Sequence, residues 1–237
     1  MAADRASGRL EPPPSDEANI SEQKRTAAVA AAELIEDGMR VGLGTGTTVA
    51  HLLPAIAERA LAGLRCVATS PTTELAAREL GLVVVELASL EELDIAIDGA
   101  DQIDEQGWLI KGGGGAHTRE KIVAAAAARF VVIASADKAV PVLTAPVPLE
   151  LLAFGVEHTL RAVAPARLRG VPPSPDGGLI ADYLGAVEDP RMLSATLSAV
   201  PGVVEHGLFA PEMVSDTLIA EDGGVVRRGG AKPARSS

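Results

Sequence analysis

Short apolar runs alternate with longer stretches of helical periodicity along the first half of this chain. Up to Ala134 the alternation predicts the order β-α-β-α-β-β-β-α-β, which is typical of a parallel α/β sheet with short inserts. The predicted strands lie in MRVGL, RCVATS, VVVEL, DIAID, WLI and the run that ends at Ala134. A glycine-rich turn follows the first strand, and HTREKIVAAAAARF predicts a helix before the last one.

A further helix is predicted ahead of the first strand. Asn19 followed by Glu22 fits a capping box, and the helix is expected to run from there to about Ile35, with Gly38 ending it. Residues 1–18 contain three consecutive prolines and mixed charge, so we expect a disordered tail before the helix.

The pattern changes beyond Pro141, where prolines interrupt short apolar runs. A small α+β unit is predicted there, with a helix from Val156 to about Ala164, a proline-rich loop over 170–178, the strand LIADYL, the helix PRMLSATLSAV and the strand GVVEHGLF. SDTLIA and GVVRR then predict a hairpin across Asp222-Gly223-Gly224, which we expect to return to the first sheet.

Composition and charge narrow the function classes. The apolar fraction of 47% is ordinary for a globular chain, and 2% of aromatic residues leaves few platforms for stacked bases. A net charge of −11 opposes binding to nucleic acid, so an anionic ligand would need a local group of cations. Because the N-terminus lacks an apolar signal segment and no apolar run reaches 18 residues, we expect a soluble, cytoplasmic protein with no membrane partner. The single cysteine, Cys66, is expected to be a small core residue at the start of a strand.

The turn after the first strand, Gly42-Leu43-Gly44-Thr45-Gly46-Thr47-Thr48, is a candidate anion site. It lacks the third glycine of the dinucleotide fingerprint and the GK[ST] of a P-loop, so both nucleotide interpretations fail. Backbone N–H groups and threonine hydroxyls at a helix start favour a phosphate or another anion. A tight turn with no ligand fits the same residues equally well.

Two carboxylates, Asp98 and Asp101, follow the predicted strand DIAID on either side of a glycine. Their acceptor-only side chains suit sugar hydroxyls, although metal ligands or simple turn residues would give the same pattern. A dedicated metal site is disfavoured, because the nearest histidine, His117, is expected to be an N-cap or surface residue. Ligands of α/β sheets bind beyond the carboxyl ends of the strands, which is where both aspartates would lie.

Lys111 and four consecutive glycines, Gly112 to Gly115, lie between an apolar run and an alanine-rich helix. Such a run loses much conformational entropy when it is ordered, so in this setting it indicates close approach of the backbone to a ligand. Lys111 is placed to neutralise negative charge on that ligand.

Two further charged groups accompany the glycines. Glu120 is expected to face the surface in the first turn of the helix, where the helix dipole, Lys111 and Arg119 would favour its ionised form. Lys138, in Ser135-Ala-Asp137-Lys138, ends another strand and would supply a second cation at the same edge of the sheet. A simple helix-start carboxylate and a solvated surface pair are the alternatives.

Together these segments resemble the type A ribose-5-phosphate isomerases. The matching segments run in order from about Ser21 to Ile219: GLGTGTTVAHLL, LDIAIDGADQID, KGGGGAHTREK, the Lys138 turn, PVPLELLAF and AVPGVVEHGLF. The resemblance implies an α/β fold, a Rossmann-like parallel-sheet domain with a smaller inserted α+β domain, and a homodimer or homotetramer. The corresponding boundaries are a disordered tail at 1–18, the Rossmann-like catalytic domain at 19–145 and 214–228, the small domain at 146–213 and a flexible tail at 229–237.

The resemblance also implies the site and the reaction. Glu120 would be the base, Lys111 would stabilise an oxyanion, and Asp98 and Asp101 would contact hydroxyls. The substrate-binding residues would be Thr45, Gly46, Thr47, Thr48, Asp98, Gly99, Ala100, Asp101, Lys111, Gly112, Gly113, Gly114 and Lys138. Interconversion of D-ribose 5-phosphate and D-ribulose 5-phosphate through an enediolate, in the non-oxidative pentose phosphate pathway, would need neither a metal nor an organic cofactor.

Two other functions are alternatives. A non-catalytic sugar-phosphate sensing module of a transcription regulator would need a helix-turn-helix, and the first 20 residues are too few and too rich in proline to form one. A transferase that acts on thioesters through a glutamate would have less use for a lysine and paired aspartates. A small sugar phosphate is therefore the expected partner, and no nucleic acid is expected.

Overall fold

The computed structural model of this chain describes residues 16–232. Residues 1–15 and 233–237, which carry most of the two predicted tails, lie outside the described residues. The described part contains the helices α1 (Asp16–Ala32), α2 (Thr47–Glu58), α3 (Pro71–Glu79), α4 (His117–Ala126), α5 (Val156–Ala162) and α6 (Pro190–Ser198). Its strands are β1 (Arg40–Leu43), β2 (Arg65–Ala68), β3 (Leu93–Gly99), β4 (Gln102–Ile103), β5 (Leu109–Ile110), β6 (Ala127–Ser135), β7 (Val147–Leu151), β8 (Ala166–Leu168), β9 (Leu179–Tyr183), β10 (Val203–His206), β11 (Leu208–Phe209), β12 (Asp216–Glu221) and β13 (Gly224–Gly229).

The largest sheet has six strands in the order β13-β12-β6-β3-β1-β2. Neighbouring strands are parallel except for β12 and β13, which form the predicted hairpin. Because β12 pairs with β6, the hairpin returns to the first sheet, as predicted. The α/β fold class is confirmed.

The order of the strands shows where this sheet can bind a ligand. From β1 the chain forms β2 on one side and later β3 on the other side, so a topological switch point lies beyond β1 and β3. Leu43 at the end of β1 pairs with Ile97, one residue before Asp98. The glycine turn and the first aspartate therefore meet at this edge.

Apolar residues cover both faces of the sheet. On one face, buried alanines of α1 and leucines of α2 pack against Val41, Ile95 and Ile133 of the strands. On the other face, Val123 of α4 belongs to a cluster with Phe130. Each buried leucine or isoleucine contributes about 1.5–3 kcal/mol, so this aliphatic core is sufficient without many aromatic residues.

Residues 147–206, which we name the four-stranded unit, form an antiparallel sheet in the order β10-β7-β9-β8. This unit has its own apolar cluster, which includes Leu149, Ala181 and Leu197. A separate three-stranded sheet has the order β11-β5-β4. Its strands β4 and β5 precede the four-stranded unit in the chain, and β11 follows it. The division of the chain into domains stays a prediction.

Several predicted strands differ from the observed ones. VVVEL forms no strand: only Val84 bridges to Cys66, and the chain then turns at the 3₁₀ segment Leu87–Ser89. WLI contributes β5, which joins the three-stranded antiparallel sheet instead of the parallel sheet. Residues 100–108 are too few for a parallel crossover, which takes a dozen residues or more. GVVEHGLF divides at Gly207 between β10 and β11.

Two helix boundaries also differ. Helix α1 already includes Asp16, the first described residue, so Asn19 lies inside the helix and donates a hydrogen bond to Asp222 at 3.1 Å instead of forming a capping box. Helix α4 ends at Ala126, four residues before Phe130, because the segment from Ala127 onward pairs with β3.

Residues 229–232, the described part of the predicted tail 229–237, contact the rest of the fold. Lys232 donates hydrogen bonds to the carbonyls of Ala124 and Ala127, at the end of α4. Cys66 is buried in β2, as predicted. Among residues 16–232, no helix is long and apolar enough to cross a membrane.

Candidate active site

The turn after β1 brings the backbone amide of Thr45 and the glycine Gly44 against Asp98 at the end of β3. Asp98 Oδ1 accepts hydrogen bonds from the N–H of Thr45 at 3.1 Å and of Gly99 at 2.7 Å. A Cβ at Gly44 would collide with the Asp98 carboxyl group, so only glycine fits there. Gly46 has a φ of 119°, which favours glycine, and it precedes the first turn of α2. This turn therefore holds a carboxylate on one side and exposes a helix start on the other.

Lys111 lies at the centre of the site, with its ammonium group among three oxygen atoms. Its Nζ is 2.9 Å from Asp98 Oδ2 and 3.1 Å from Glu120 Oε2, and it donates a hydrogen bond to the Gly99 carbonyl at 2.6 Å. The three charged residues are only 3–4% exposed. The Lys111 N–H donates to the Gly207 carbonyl at 2.9 Å, which fixes the end of β5. We name Lys111, Asp98 and Glu120 the lysine–carboxylate cluster.

The burial of this cluster sets its protonation. Desolvation, followed by the negative charge of Asp98, raises the pKa of Glu120 to about 7, although Lys111 opposes this. Desolvation also raises the pKa of Asp98, against the charge of Lys111 and two backbone hydrogen bonds. Burial alone would lower the pKa of Lys111, but the two carboxylates outweigh it and hold that pKa above its ordinary value. Lys111 is therefore a cation at neutral pH, and Glu120 is poised to exchange a proton there.

Glu120 lies in the first turn of α4, as predicted, but its side chain is buried and does not face the surface. Arg119 points elsewhere and pairs with Asp176 at 2.7 Å, so it does not stabilise the ionised form of Glu120. Desolvation outweighs the helix dipole, so the pKa of Glu120 is raised, whereas the sequence predicted that its ionised form would be favoured. The prediction of a surface-facing carboxylate was wrong.

His117 was also misplaced by the sequence, as an N-cap or surface residue. It is the first residue of α4, with Ala116 as the N-cap, and it is fully buried. Desolvation lowers its pKa to about 4, so the ring is neutral at pH 7. A Cβ on Gly112 would lie 2.7 Å from His117 Nδ1, and the φ of Gly112 is 106°. The imidazole therefore packs beneath the glycines and requires the first of them to be glycine.

We name residues 112–115 the glycine loop. The N–H of Gly113 donates to Asp101 Oδ2 at 2.8 Å, which joins the loop to the second aspartate. On the opposite side, Arg169 Nη1 donates to the carbonyls of Gly112 and Gly113, both at 3.0 Å. Arg169 belongs to the four-stranded unit, and its involvement was missed because nothing in its local sequence marks it.

A cavity of about 70 Å³ lies between the glycine loop and the turn after β1. It is lined by Thr45, Gly46, Gly99, Ala100, Asp101, Lys111, Gly112, Gly113, Gly114 and Glu120. All of these residues belong to the predicted site. Asp98 does not line the cavity itself but pairs with Lys111, which does. Thr47, Thr48 and Lys138 do not line the cavity.

The other predicted cation lies at the same edge of the sheet, in the 3₁₀ turn Ala136–Lys138 that follows β6. Lys138 pairs with Asp137 at 2.9 Å. Lys24 on α1, which the sequence analysis missed, donates a hydrogen bond to Thr47 Oγ1 at 3.0 Å. Burial acts to raise the pKa of Asp137, but its bond from Ser135 and the charges of Lys138 and Lys24 hold it below its ordinary value. We name Lys24, Thr47 and Lys138 the two-lysine face.

A search for an active site by cavity volume alone would have selected a different part of the molecule. A cleft of about 590 Å³ lies between α4 and the four-stranded unit and includes the Arg119–Asp176 pair. The two oxygens of its buried Glu150 are both taken, by Thr118 and by Ser174. Within residues 16–232, no group of three or more His, Cys, Asp or Glu side chains is arranged to hold a metal ion.

Comparison with known proteins adds an independent finding. The model of the family described as ribose 5-phosphate isomerase A (phosphoriboisomerase A) matches residues 65–224. A ribose-5-phosphate isomerase A of Caulobacter vibrioides is 45% identical over 224 residues, which cover 88% of this chain and 98% of that protein. A crystal structure of ribose 5 phosphate isomerase A from Neisseria gonorrhoeae has a TM-score of 0.85 at 30% identity, with 89% of this chain and 97% of that one covered. A D-ribose-5-phosphate isomerase in complex with phospho-erythronic acid has a TM-score of 0.84 at 32% identity, and covers 89% of this chain and 99% of that one.

Proposed function

Since the chain belongs to the ribose 5-phosphate isomerase A family, we propose that the cavity of the lysine–carboxylate cluster is its active site. The chain is an isomerase of the pentose phosphate pathway that interconverts D-ribose 5-phosphate and D-ribulose 5-phosphate. The sensing alternative finds no support among these relatives. The observation that carries the site assignment is that one buried ammonium holds two buried carboxylates beside a glycine loop.

Glu120 is the proposed base of the reaction. In the open-chain aldose, Glu120 removes the proton from C2, and the electron pair of that bond forms the C1–C2 double bond of an enediolate. As that double bond forms, the electron pair of the C1 carbonyl moves onto O1. The proton then returns from Glu120 to C1, the C2 oxygen becomes the carbonyl, and the proton of the C2 hydroxyl passes to O1, so no atom or electron is gained or lost. A pKa of about 7 gives a carboxylate that accepts a proton more readily than an ordinary glutamate and is still largely ionised just above neutral pH.

Lys111 and the glycine loop are the proposed oxyanion stabilisers. Lys111 is a cation fixed by Asp98 and by the Gly99 carbonyl, so its charge is in place before the enediolate forms. Asp101 is exposed, and it lines the cavity next to Gly113, where it can accept hydrogen bonds from sugar hydroxyls. Asp98 then acts by holding Lys111, because its own oxygens face the lysine and two backbone amides.

The two-lysine face is the proposed phosphate anchor. The cavity of about 70 Å³ is too small for a whole sugar phosphate, so part of the substrate must extend beyond it. Gly46 lines the cavity and also precedes the first turn of α2, where Thr47 receives the hydrogen bond from Lys24. A helix start with two nearby lysines attracts a phosphate in a protein whose net charge is −11. Homo-oligomerisation and a cytoplasmic location stay predictions.

The decisive experiment is turnover by the purified chain after exhaustive EDTA treatment. We expect full activity on ribose 5-phosphate, because the scheme uses only side chains and backbone amides. With the reaction run in D₂O, deuterium on carbon in the product would indicate an enediolate whose proton exchanges with solvent. Activity that is lost with EDTA and restored only by a divalent ion would refute this assignment of roles. Phospho-erythronic acid is expected to compete with the substrate and to bind less well to Lys111→Met.

A further inference from the structure

We propose that Arg169, held by Asp182, is a positioning residue that orients the glycine loop so that the Gly114 N–H points into the cavity. This inference rests on the function proposed above and assigns part of it to the four-stranded unit. Arg169 follows β8, and its guanidinium forms a two-point ion pair with Asp182 of β9, at 2.8 and 2.6 Å. Both side chains are largely buried, so the pair is well fixed.

One nitrogen of Arg169 determines the direction of two peptide groups. Its Nη1 donates to the carbonyl oxygens of Gly112 and Gly113, both at 3.0 Å. In a trans peptide the C=O and the following N–H point in opposite directions. The N–H groups of Gly113 and Gly114 must therefore point away from Arg169.

The first of these two peptide groups shows which side that is. The Gly113 N–H donates to Asp101 Oδ2 at 2.8 Å, and Asp101 lines the cavity. Because both carbonyls turn toward the same nitrogen, the Gly114 N–H lies on the Asp101 side as well. Gly114 also lines the cavity, and its N–H has no hydrogen-bond partner among the described residues. It is available to an oxyanion of the substrate.

Without an external donor, the glycine loop would not keep this orientation. Four glycines have access to both signs of φ, and the loop has few other bonds: the Gly115 N–H bonds to the Gly112 carbonyl at 3.0 Å. Rotation of the Gly113–Gly114 peptide would turn its N–H away from the cavity and present a carbonyl oxygen there, which would repel an oxyanion. Arg169 prevents this rotation from a position behind the loop.

The test compares steady-state kinetics of the full chain and five variants. Arg169→Ala is expected to lower kcat about 10- to 100-fold, which is less than the roughly 100- to 1000-fold lost when an oxyanion donor is removed, because the Gly114 N–H stays in the loop and loses only its fixed direction. KM for ribose 5-phosphate should stay within about threefold, because the two-lysine face is untouched. Arg169→Lys should also lose about tenfold in kcat, since one ammonium cannot both fork to Asp182 and reach two carbonyls. Guanidinium ion added at millimolar concentration should restore part of the activity of Arg169→Ala.

Arg167→Ala is the matched control, because Arg167 is exposed two residues away on β8 and its side chain has no hydrogen bond or ion pair with the described residues. Its kcat should equal that of the wild type. Asp182→Asn keeps the guanidinium but weakens its anchor, and we expect a loss of about 3- to 10-fold even if Arg169→Ala fails to fold. A kcat of Arg169→Ala or Asp182→Asn within twofold of the wild type, or a loss that guanidinium does not relieve, would overturn the inference. If Glu120→Gln stays active, the proposed function fails instead, so the two failures are distinguishable.

Discussion

The protein places a lysine beside carboxylates in two regions that behave differently. In the lysine–carboxylate cluster, Lys111 and its two partners are almost fully buried, and the pKa of Glu120 is raised to about 7. On the two-lysine face, Lys138 and Asp137 are each about one-third exposed, and the pKa of Asp137 is lowered. Water screens the second pair, so its charges attract a ligand without changing the proton affinity of a base.

This difference separates binding from chemistry. A buried carboxylate keeps its ionised form only with a compensating cation, and here two carboxylates share one. Burial and, after it, the negative charge of Asp98 raise the pKa of Glu120, which makes it a base near neutral pH. On the exposed face, Lys24 adds a second cation to the Lys138–Asp137 pair beside the start of α2, which suits this face to hold a phosphate. Substitutions in the first region should therefore change kcat, and those in the second should change KM.

Glu120→Gln should have the largest effect, a fall in kcat of at least about a hundredfold. Glutamine keeps the size of the side chain but cannot accept a proton from C2. Rapid-mix and steady-state assays with ribose 5-phosphate measure the change, and Glu205→Gln, which alters a glutamate paired with Lys121, is the control. Near-normal kcat in Glu120→Gln would mean that another group removes the proton.

Much of this site could be predicted from the sequence because its residues are close together along the chain. Asp98, Asp101 and the glycines all lie within residues 98–115, and local patterns identified the strand end, the turn and the helix start that hold them. Short-range geometry then brings them to one edge of the sheet. Lys24 and Arg169 could not be found in this way, because their contacts with Thr47 and the glycine loop depend on distant packing.

The sequence also did not reveal which polar side chains of the site are buried. Glu120 and His117 are polar residues in a first helical turn, and on their own they are typical of exposed positions. They are buried because α4 lies between the main sheet and the four-stranded unit. Three side chains of that unit hold α4: Glu150 accepts a hydrogen bond from Thr118, Asp176 pairs with Arg119, and Glu205 pairs with Lys121. The sign of the pKa shift at Glu120 follows from that packing, and no local pattern encodes it.

Lys138→Ala and Lys24→Ala should each raise KM for ribose 5-phosphate about 10-fold or more, with kcat within about threefold. Loss of a hydrogen bond to a charged group costs about 1.5–3 kcal/mol, and substrate and transition state would lose it equally. D-ribose, which has no phosphate, should be a very poor substrate for the wild type and should not distinguish it from these variants. A loss confined to kcat would place these lysines with the cluster, and equal efficiency on ribose would remove the phosphate anchor.

The pH profile should report the shifted carboxylate. Since Glu120 must be ionised to act, kcat/KM should fall about tenfold per pH unit below a pKa of about 7. The negative charge of Asp98 is part of what raises this pKa, so Asp98→Asn should move the acidic limb to lower pH. Titration of the substrate phosphate cannot produce that movement, because the pKa of the free substrate is the same in assays of the wild type and of Asp98→Asn. An unmoved limb would mean that the profile reports the substrate and not Glu120.

The smallest effect concerns stability, and its sign contradicts the expectation for a surface carboxylate. Because the pKa of Glu120 is raised from 4.5 to about 7 in the folded state, the folded chain binds more protons than the unfolded chain between these values. The unfolding free energy contributed by this group therefore falls as pH rises through that window, by about 3 kcal/mol at most. Glu120→Gln removes this cost, so it should be about 1–3 kcal/mol more stable than the wild type near pH 8 and little changed near pH 4. Urea unfolding at both pH values measures the difference.

Glu205→Gln should show the opposite sign at pH 8, since the pKa of Glu205 is lowered and Lys121 would lose its partner. A glutamine variant that is less stable than the wild type at pH 8 would mean that Lys111 gains more from the Glu120 anion than burial costs, and the raised pKa on which the base assignment depends would then be wrong.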